Sequence, residues 1–131
     1  SEFKDKKQEK WECSDEEKMA HATKSKVGGN EKLTTGGYKG AVENYKEGIE
    51  FLEHEHASEA KQLLNILRLN ISQAYLKLGK YAEVIDNCTK VLKEEDDNHK
   101  ALYRRGIAFS KSQDFDKAKV LFSLFRMIST N

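Results

Sequence analysis

The sequence contains no proline and only two cysteines among its 131 residues. A loop-rich β-sandwich of this size would normally contain several prolines, and a disulfide scaffold would need more cysteines. Cys13 and Cys88 cannot form such a framework, and they lack the spacing of a zinc site. The absence of proline, with abundant Lys, Glu, Ala and Leu, predicts an all-helical protein of a reducing compartment, the cytoplasm or alternatively the nucleus.

A charge excess of one sign and a long apolar run are also missing. Lys and Arg number 23 against 22 Asp and Glu, which gives a formal net charge of +1. General nucleic-acid binders usually carry a marked basic excess. No apolar run is long enough to cross a bilayer, and the charged N-terminus has no secretory signal. We therefore expect neither nucleic acid nor a membrane as a partner.

Start and stop signals divide the chain into six predicted helices. The first begins at a capping box, in which Ser14 and Glu17 bond each other's backbone amides, and ends at the breaker cluster Thr34–Gly37. Five further helices are predicted at about 38–53, 63–78, 81–94, 99–112 and 114–127, with Asn98 as one N-cap. Short turns favour antiparallel neighbours, so we expect stacked helical hairpins.

The last two hairpins repeat each other at a shift of about 34 residues. This shift aligns small residues with small residues, such as Ala74 with Ala108. The first hairpin matches only after a longer shift, which brings Gly36 onto Gly79 and places additional residues around His54–Lys61. Aromatic residues recur at repeat positions and are expected in the core: Tyr38, Tyr45, Tyr75, Tyr81, Tyr103, Phe109, Phe115 and Phe122.

These features resemble the tetratricopeptide repeat (TPR) family over residues 14–128. The segments that carry the resemblance are Gly29-Asn30…Gly36-Gly37-Tyr38…Ala41…Tyr45, Ala74–Tyr81 and Lys100–Gly106. Within that family the chain is most similar to the C-terminal domain of the large FK506-binding immunophilins. The resemblance implies an all-α superhelix of three antiparallel hairpins. Its TPR domain would span 14–131, with repeats at roughly 22–55, 65–98 and 99–131, after a cloning remnant and charged linker at 1–13.

Two departures from the family pattern bear on packing. Gly48 occupies a helix interior where the family usually has Ala, at an expected cost of about 1 kcal/mol. The family's seventh, capping helix would be absent or truncated. Apolar residues of the last helix would then remain uncovered, and we expect self-association through that end as an alternative role for the domain: Leu121, Phe122, Leu124, Phe125 and Met127.

Five polar residues form the candidate binding site. Lys26 and Asn30 lie four residues apart on one face of the first helix, as do Lys100 and Arg104 on the fifth. Asn70 interrupts the apolar third helix. In a stack, the first helices of the hairpins line one groove and would bring these residues together. Three cations and two amides suit a chain end with a terminal carboxylate and an acidic side chain.

The resemblance assigns roles to the same five residues, since they match the dicarboxylate clamp of chaperone-binding TPR domains. Those domains grip the acidic Glu-Glu-Val-Asp tail of cytosolic heat-shock chaperones, and the 90-kDa class is favoured here. Lys26, Asn30 and Asn70 would hold the terminal carboxylate. Lys100 would pair with the final Asp side chain, and Arg104 would contact the ligand upstream.

Further expectations concern the wall of the groove, metal or cofactor sites, and enzymatic activity. Leu33 and Tyr75 would line the wall of the groove. His54 and His56 lie two apart and do not share a helix face, so we expect no metal site and no cofactor. Neither cysteine has a base nearby in sequence, so we expect this chain not to be an enzyme. A parent immunophilin would carry its prolyl isomerase activity in another domain, and a structural scaffold for another protein partner is the alternative function.

Overall fold

A computed structural model of the protein describes residues 9–112 and 115–130, with side chains except at 115–118 and 130. After a short 3₁₀ helix (Lys10–Glu12), the elements are α1 (Asp15–Thr34), α2 (Tyr38–Leu52), α3 (Ser58–Lys77), α4 (Tyr81–Glu94), α5 (His99–Lys111) and α6 (Phe115–Thr130). These ranges contain no strand, which agrees with the predicted all-α class. The predicted cloning remnant, most of the charged lead-in and the predicted helix start at Asp114 lie outside the described residues.

The six helices form three antiparallel hairpins, as predicted. Within the hairpins α1 packs on α2, α3 on α4 and α5 on α6, and each hairpin also packs on the next. The first helices also contact one another, α1 with α3 and α3 with α5. One face of the stack is therefore built from first helices alone, and the predicted binding residues all belong to these helices. None of the helices in the described ranges is long and apolar enough to span a membrane.

Capping residues and glycines begin and end the helices at the positions that the sequence predicts. Ser14 Oγ accepts a hydrogen bond from the Glu17 amide at 3.2 Å, and Glu17 Oε1 accepts from the Ser14 amide at 3.0 Å. Asn98 caps α5 by accepting from the backbone amide three residues later. Gly36 and Gly79 adopt positive φ angles of 86° and 73°, which favour glycine at the C-terminal ends of α1 and α3.

The additional length of the first repeat lies mainly in α3. The sequence places these residues between the second and third helices, around His54–Lys61. The structure shows helix from Ser58 onward, so α3 has 20 residues whereas α5 has 13. The early part of α3 is helical because Ala60 and Leu63 are buried in the core. The sequence did not predict this first stretch of α3 as helix, because the residues around Ala60 and Leu63 are mostly polar.

Each hairpin closes on a small residue of its first helix. A Cβ atom at Gly29 would overlap the ring of Tyr45 on α2, so α1 and α2 can approach this closely only with glycine there. Gly29, the second of two adjacent glycines in α1, is therefore a point of close helix packing. The same contact recurs, again sixteen residues apart, between Ser72 and Cys88 and between Gly106 and Phe122.

Gly48 has a packing role that helix propensity does not reveal. A Cβ atom there would lie 3.0 Å from Leu67 Cδ1 and 3.0 Å from Ser25 Cβ. Both distances are shorter than ordinary van der Waals contact, so alanine would press on α1 and α3 at once. The expected cost of glycine relative to alanine is therefore offset by the close packing of three helices.

The adjacent glycines of α1 provide a matched test of this packing. We expect Gly29→Ala to lower the free energy of unfolding by about 1–3 kcal/mol, because the new methyl group meets the buried Tyr45 ring. Gly28→Ala should change it by less than about 1 kcal/mol. Its methyl group would meet only the movable side chain of Asn44, and alanine favours helix. Urea unfolding followed by circular dichroism measures both, and equal losses would contradict the account.

Candidate functional site

Two asparagines meet on the face that the first helices build. Asn70 Nδ2 on α3 donates to Asn30 Oδ1 on α1 at 3.1 Å. The Tyr45 hydroxyl, from α2, donates to the same Asn30 oxygen. Because the oxygen accepts both bonds, the Asn30 side-chain nitrogen is turned away from them, and no described group bonds it. Two amide donors of Asn30 are thereby available to an incoming acceptor.

Tyr45 is a positioning residue that the sequence assigned only to the core. Its ring is fully buried, but its hydroxyl reaches Asn30 at the edge of the groove. Burial raises the pKa of Tyr45, so the hydroxyl stays protonated and continues to donate. Spacing alone could not reveal this contact, because Asn30 and Tyr45 lie on different helices.

Arg104 joins α5 to α3. Its Nη1 donates to the Leu69 carbonyl oxygen at 2.7 Å and its Nη2 to Gln73 Oε1 at 3.1 Å. Burial lowers the pKa of Arg104, although a guanidinium remains charged at neutral pH. The predicted groove residue is therefore also a structural bridge between two first helices, and part of its hydrogen-bonding capacity is already in use.

The two lysines of the predicted clamp carry uncompensated charge. Lys26 is partly exposed and Lys100 is exposed, and neither forms an ion pair with a described residue. Lys100 lies one turn before Arg104 on α5, and Lys26 lies one turn before Asn30 on α1. The structure thus connects Asn30, Asn70 and Arg104 through α3. Lys26 and Lys100 lie on the same two helices as Asn30 and Arg104, and their side chains form no hydrogen bond or ion pair with a described residue.

A cationic cleft of about 480 Å³ opens between α3 and α5 beside Arg104. Sequence reasoning found two of its residues, Lys100 and Arg104, and missed the others. A spacing of seven residues was the available signal, since Lys77 follows Asn70 and Lys111 follows Arg104 by two helical turns. None of the described residues that line the cleft is acidic: Gln73, Leu76, Lys77, Tyr81, Lys100, Tyr103, Arg104, Ile107 and Lys111.

Two aromatic assignments need correction. Tyr103, predicted in the core, is 49% exposed. One side of its ring packs against Phe122 and Phe125 of α6, and the other borders the cationic cleft. Tyr75, predicted in the groove wall, is only 5% exposed and lines a cleft between α2 and α4. Its position on α3 points it toward the second helices of the hairpins.

Leu33, the other predicted wall residue, is half-buried and packs against the core near the end of α1. No three His, Cys, Asp or Glu side chains come together as a metal site within 9–112 and the described part of α6. Cys13 and Cys88 are both buried free thiols, and burial raises the pKa of each.

Comparison with known proteins gives several matches, although no family model matches. The chain is 37% identical to the peptidyl-prolyl cis-trans isomerase FKBP4 of Bos taurus over 124 residues, which cover 90% of this chain and 27% of that protein. The C-terminal TPR-containing domain of a Plasmodium falciparum FK506-binding protein superposes with a TM-score of 0.83 at 28% identity, covering 94% of this chain and 86% of that chain.

Two further solved structures contain bound peptides. The second TPR domain of human RPAP3, in complex with the HSP70 peptide SGPTIEEVD, has a TM-score of 0.74 at 27% identity and covers 87% of this chain and 88% of that one. The second TPR of Spaghetti (RPAP3), bound to the HSP90 peptide SRMEEVD, has a TM-score of 0.69 at 31% identity. The match covers 82% of this chain and 92% of that one.

The chain belongs to the tetratricopeptide repeat family. This TPR domain resembles the C-terminal region of FKBP-type immunophilins, which confirms the resemblance found in the sequence. It spans about a quarter of the length of the FKBP4 relatives that it matches. The chain matches the repeat domain of such proteins and not their isomerase domain.

The TPR groove offers a test of the bridging role of Arg104. We expect Arg104→Met to lower the free energy of unfolding by about 1–3 kcal/mol, because it removes two hydrogen bonds from α5 to α3. Lys100→Met should change it by less than about 0.5 kcal/mol, since Lys100 is exposed and has no described partner. Urea unfolding of both variants provides the measurement. A loss for Lys100→Met as large as that for Arg104→Met would contradict the bridge.

Proposed function

We propose that this TPR domain is a peptide-binding co-chaperone adaptor, which clamps the acidic C-terminal tail of a heat-shock chaperone in the cytoplasm. The observation that carries the proposal is the orientation of Asn30. Tyr45 and Asn70 both donate to its oxygen, so its amide donors point to where a carboxylate would lie, between the cations Lys26 and Lys100. A carboxylate would complete this arrangement, because every group aimed at it donates or is positively charged.

The terminal carboxylate of the tail would bind Lys26, Asn30 and the second side-chain N–H of Asn70. Lys100 would pair with the last acidic side chain of the tail. No described Asp or Glu forms an ion pair with Lys100 and would compete for it. The upstream acidic residues would meet the cleft between α3 and α5, where Lys77 and Lys111 add positive charge. The bound peptides of the two RPAP3 structures, SGPTIEEVD and SRMEEVD, have this chemistry.

Arg104 would act mainly by setting the distance between α3 and α5. Two of its donor groups already bond α3, and the guanidinium has further donors for the ligand. Substitution at Arg104 would therefore weaken binding partly through the groove shape. Lys100 is the cleaner probe of the charge interaction, because it has no structural contacts to lose.

Peptide titration tests the clamp. We expect a Met-Glu-Glu-Val-Asp peptide with a free C-terminus to bind at least about tenfold more tightly than its amidated twin, since a charge-assisted carboxylate contact supplies about 1.5–3 kcal/mol. Binding should weaken as salt rises and should fall by at least about tenfold in Lys100→Ala. Isothermal titration calorimetry gives both dissociation constants.

Lys93→Ala is the matched control for this titration, since Lys93 is an exposed lysine on α4, a second helix. It should bind like the unchanged domain. Equal affinity for the free and amidated peptides would contradict the clamp. The preference for the 90-kDa class is tested by competition between SRMEEVD and SGPTIEEVD, and tighter binding of SGPTIEEVD would contradict that preference.

The exposed face of α6 favours a second candidate function, a scaffold that self-associates. Val120, Leu124 and Met127 are 61%, 42% and 62% exposed. They lie three or four residues apart and form one apolar stripe. Phe125, in contrast, is half-buried against His99 and Tyr103, so it serves the hairpin itself.

Sedimentation velocity tests this alternative. If the stripe self-associates, the sedimentation coefficient should rise with concentration, and Leu124→Glu should abolish the rise by placing a charge in the interface. Ser123→Glu adds the same charge at the neighbouring exposed position and should leave association unchanged. A monomer at all concentrations would exclude the scaffold function.

A further inference from the structure

A second cleft, of about 640 Å³, lies away from the proposed peptide groove. It is bounded by α2 and α4, the second helices of the first two hairpins, and α3 forms its floor. Ile49, Ile71 and Tyr75 supply an apolar lining, and several charged side chains surround it. The cleft shares no lining residue with the cationic cleft between α3 and α5, so it can be considered independently of the proposed function.

A nearly buried arginine opens onto this cleft. Arg68 is 8% exposed, and its one side-chain hydrogen bond to a described residue runs from Nη1 to Asn87 Oδ1 at a long 3.4 Å. Asn87 is itself fixed, because its Nδ2 donates to the Glu83 carbonyl oxygen at 2.9 Å. No described carboxylate lies within ion-pair distance of Arg68. None of its nitrogens is both buried and unbonded, so its remaining donors reach solvent, and Arg68 is one of the residues that line the cleft.

The environment of Arg68 is unusual for a buried cation. Burial lowers the pKa of Arg68, while the charges of Glu53 and Asp86 act in the opposite direction from beyond contact distance. A buried charge is normally stabilised by a close partner of opposite sign, and here a weak amide contact takes that place. The guanidinium can therefore donate hydrogen bonds to a carboxylate from two of its remaining N–H groups.

The rim of the cleft carries acidic side chains, so it would bind cationic groups, whereas Arg68 would bind an anionic one. Lys90 pairs with Asp86 at 3.1 Å, and Lys10 pairs with Glu50 at 3.5 Å. Glu83 has no ion-pair partner among the described residues, and the only one recorded for Glu53 is the exposed His54, whose Nε2 lies 3.7 Å from Glu53 Oε1. A ligand that satisfied the whole cleft would bring one anionic group for the floor and cationic groups for the rim. A polyanion would be repelled by the two glutamates, and a purely basic segment would leave the arginine unpaired.

We propose that this cleft docks a protein segment in which one acidic side chain is flanked by basic residues, with the carboxylate on Arg68 and the basic groups on Glu53 and Glu83. Short apolar side chains beside the acidic residue would pack on the exposed edges of Ile49 and Tyr75. The domain would then bind two partners at once, one on each side of α3.

A matched peptide pair tests the proposal on the unchanged domain. The probe is Ac-Lys-Leu-Glu-Leu-Lys-NH2, and its twin has Gln in place of Glu. In ¹⁵N-labelled protein we expect the probe to shift amide signals of α2, α3 and α4 around the cleft. We expect its dissociation constant to be at least about tenfold lower than that of the twin. Equal affinity of the two peptides, or shifts confined to other helices, would overturn the proposal.

Three variants separate this site from the peptide groove. Arg68→Met should abolish the difference between the probe and its twin, whereas Arg68→Lys should keep part of it because the charge remains. Lys100→Ala should not change probe binding, since Lys100 lies on α5, outside this cleft. Saturation with Met-Glu-Glu-Val-Asp should also leave the probe bound. Displacement by that peptide would place the probe in the groove and overturn the proposal, whatever the outcome for the clamp.

Discussion

The close approach of the two helices in the first hairpin depends on the contact between Gly29 and Tyr45. A side chain at Gly29 would occupy the space of the ring, so the helices can meet at this distance only with glycine. The same ring carries the hydroxyl that donates to Asn30 at the edge of the groove. Helix packing and the orientation of Asn30 therefore depend on one side chain, and a change that moved α2 relative to α1 would also turn the Asn30 amide.

Charge is distributed unevenly over this fold, although its sum is close to zero. The cationic cleft between α3 and α5 is lined by Lys77, Lys100, Arg104 and Lys111 and by no acid. The acidic side chains gather elsewhere, including the rim of the cleft between α2 and α4. An ordered stack of helices keeps these two regions on different sides of α3. The net charge of +1 thus conceals a surface with one strongly cationic side.

Local patterns predicted most of the fold, because caps, glycine stops and repeat spacing depend on nearby residues. The capping box at Ser14 and the turn at Gly79 are examples. The site was harder, since its decisive contacts join different helices. Four-residue spacing placed Lys100 with Arg104 correctly, but it could not show that Arg104 bonds the α3 backbone or that Tyr45 orients Asn30. Recurrence at repeat positions misplaced Tyr103 in the core, because its exposure depends on how α6 packs beside it.

The central claim is that the amides of Asn30 and Asn70 are aligned to receive a terminal carboxylate. Their side-chain NH2 signals in a ¹⁵N spectrum report on this most directly. On addition of a Glu-Glu-Val-Asp peptide, the account predicts downfield shifts of both signals, and Tyr45→Phe should reduce the shift of Asn30. If both signals stayed in place while the peptide bound, or if the shifts appeared only on α2 and α4, the carboxylate would lie elsewhere and the account would be wrong.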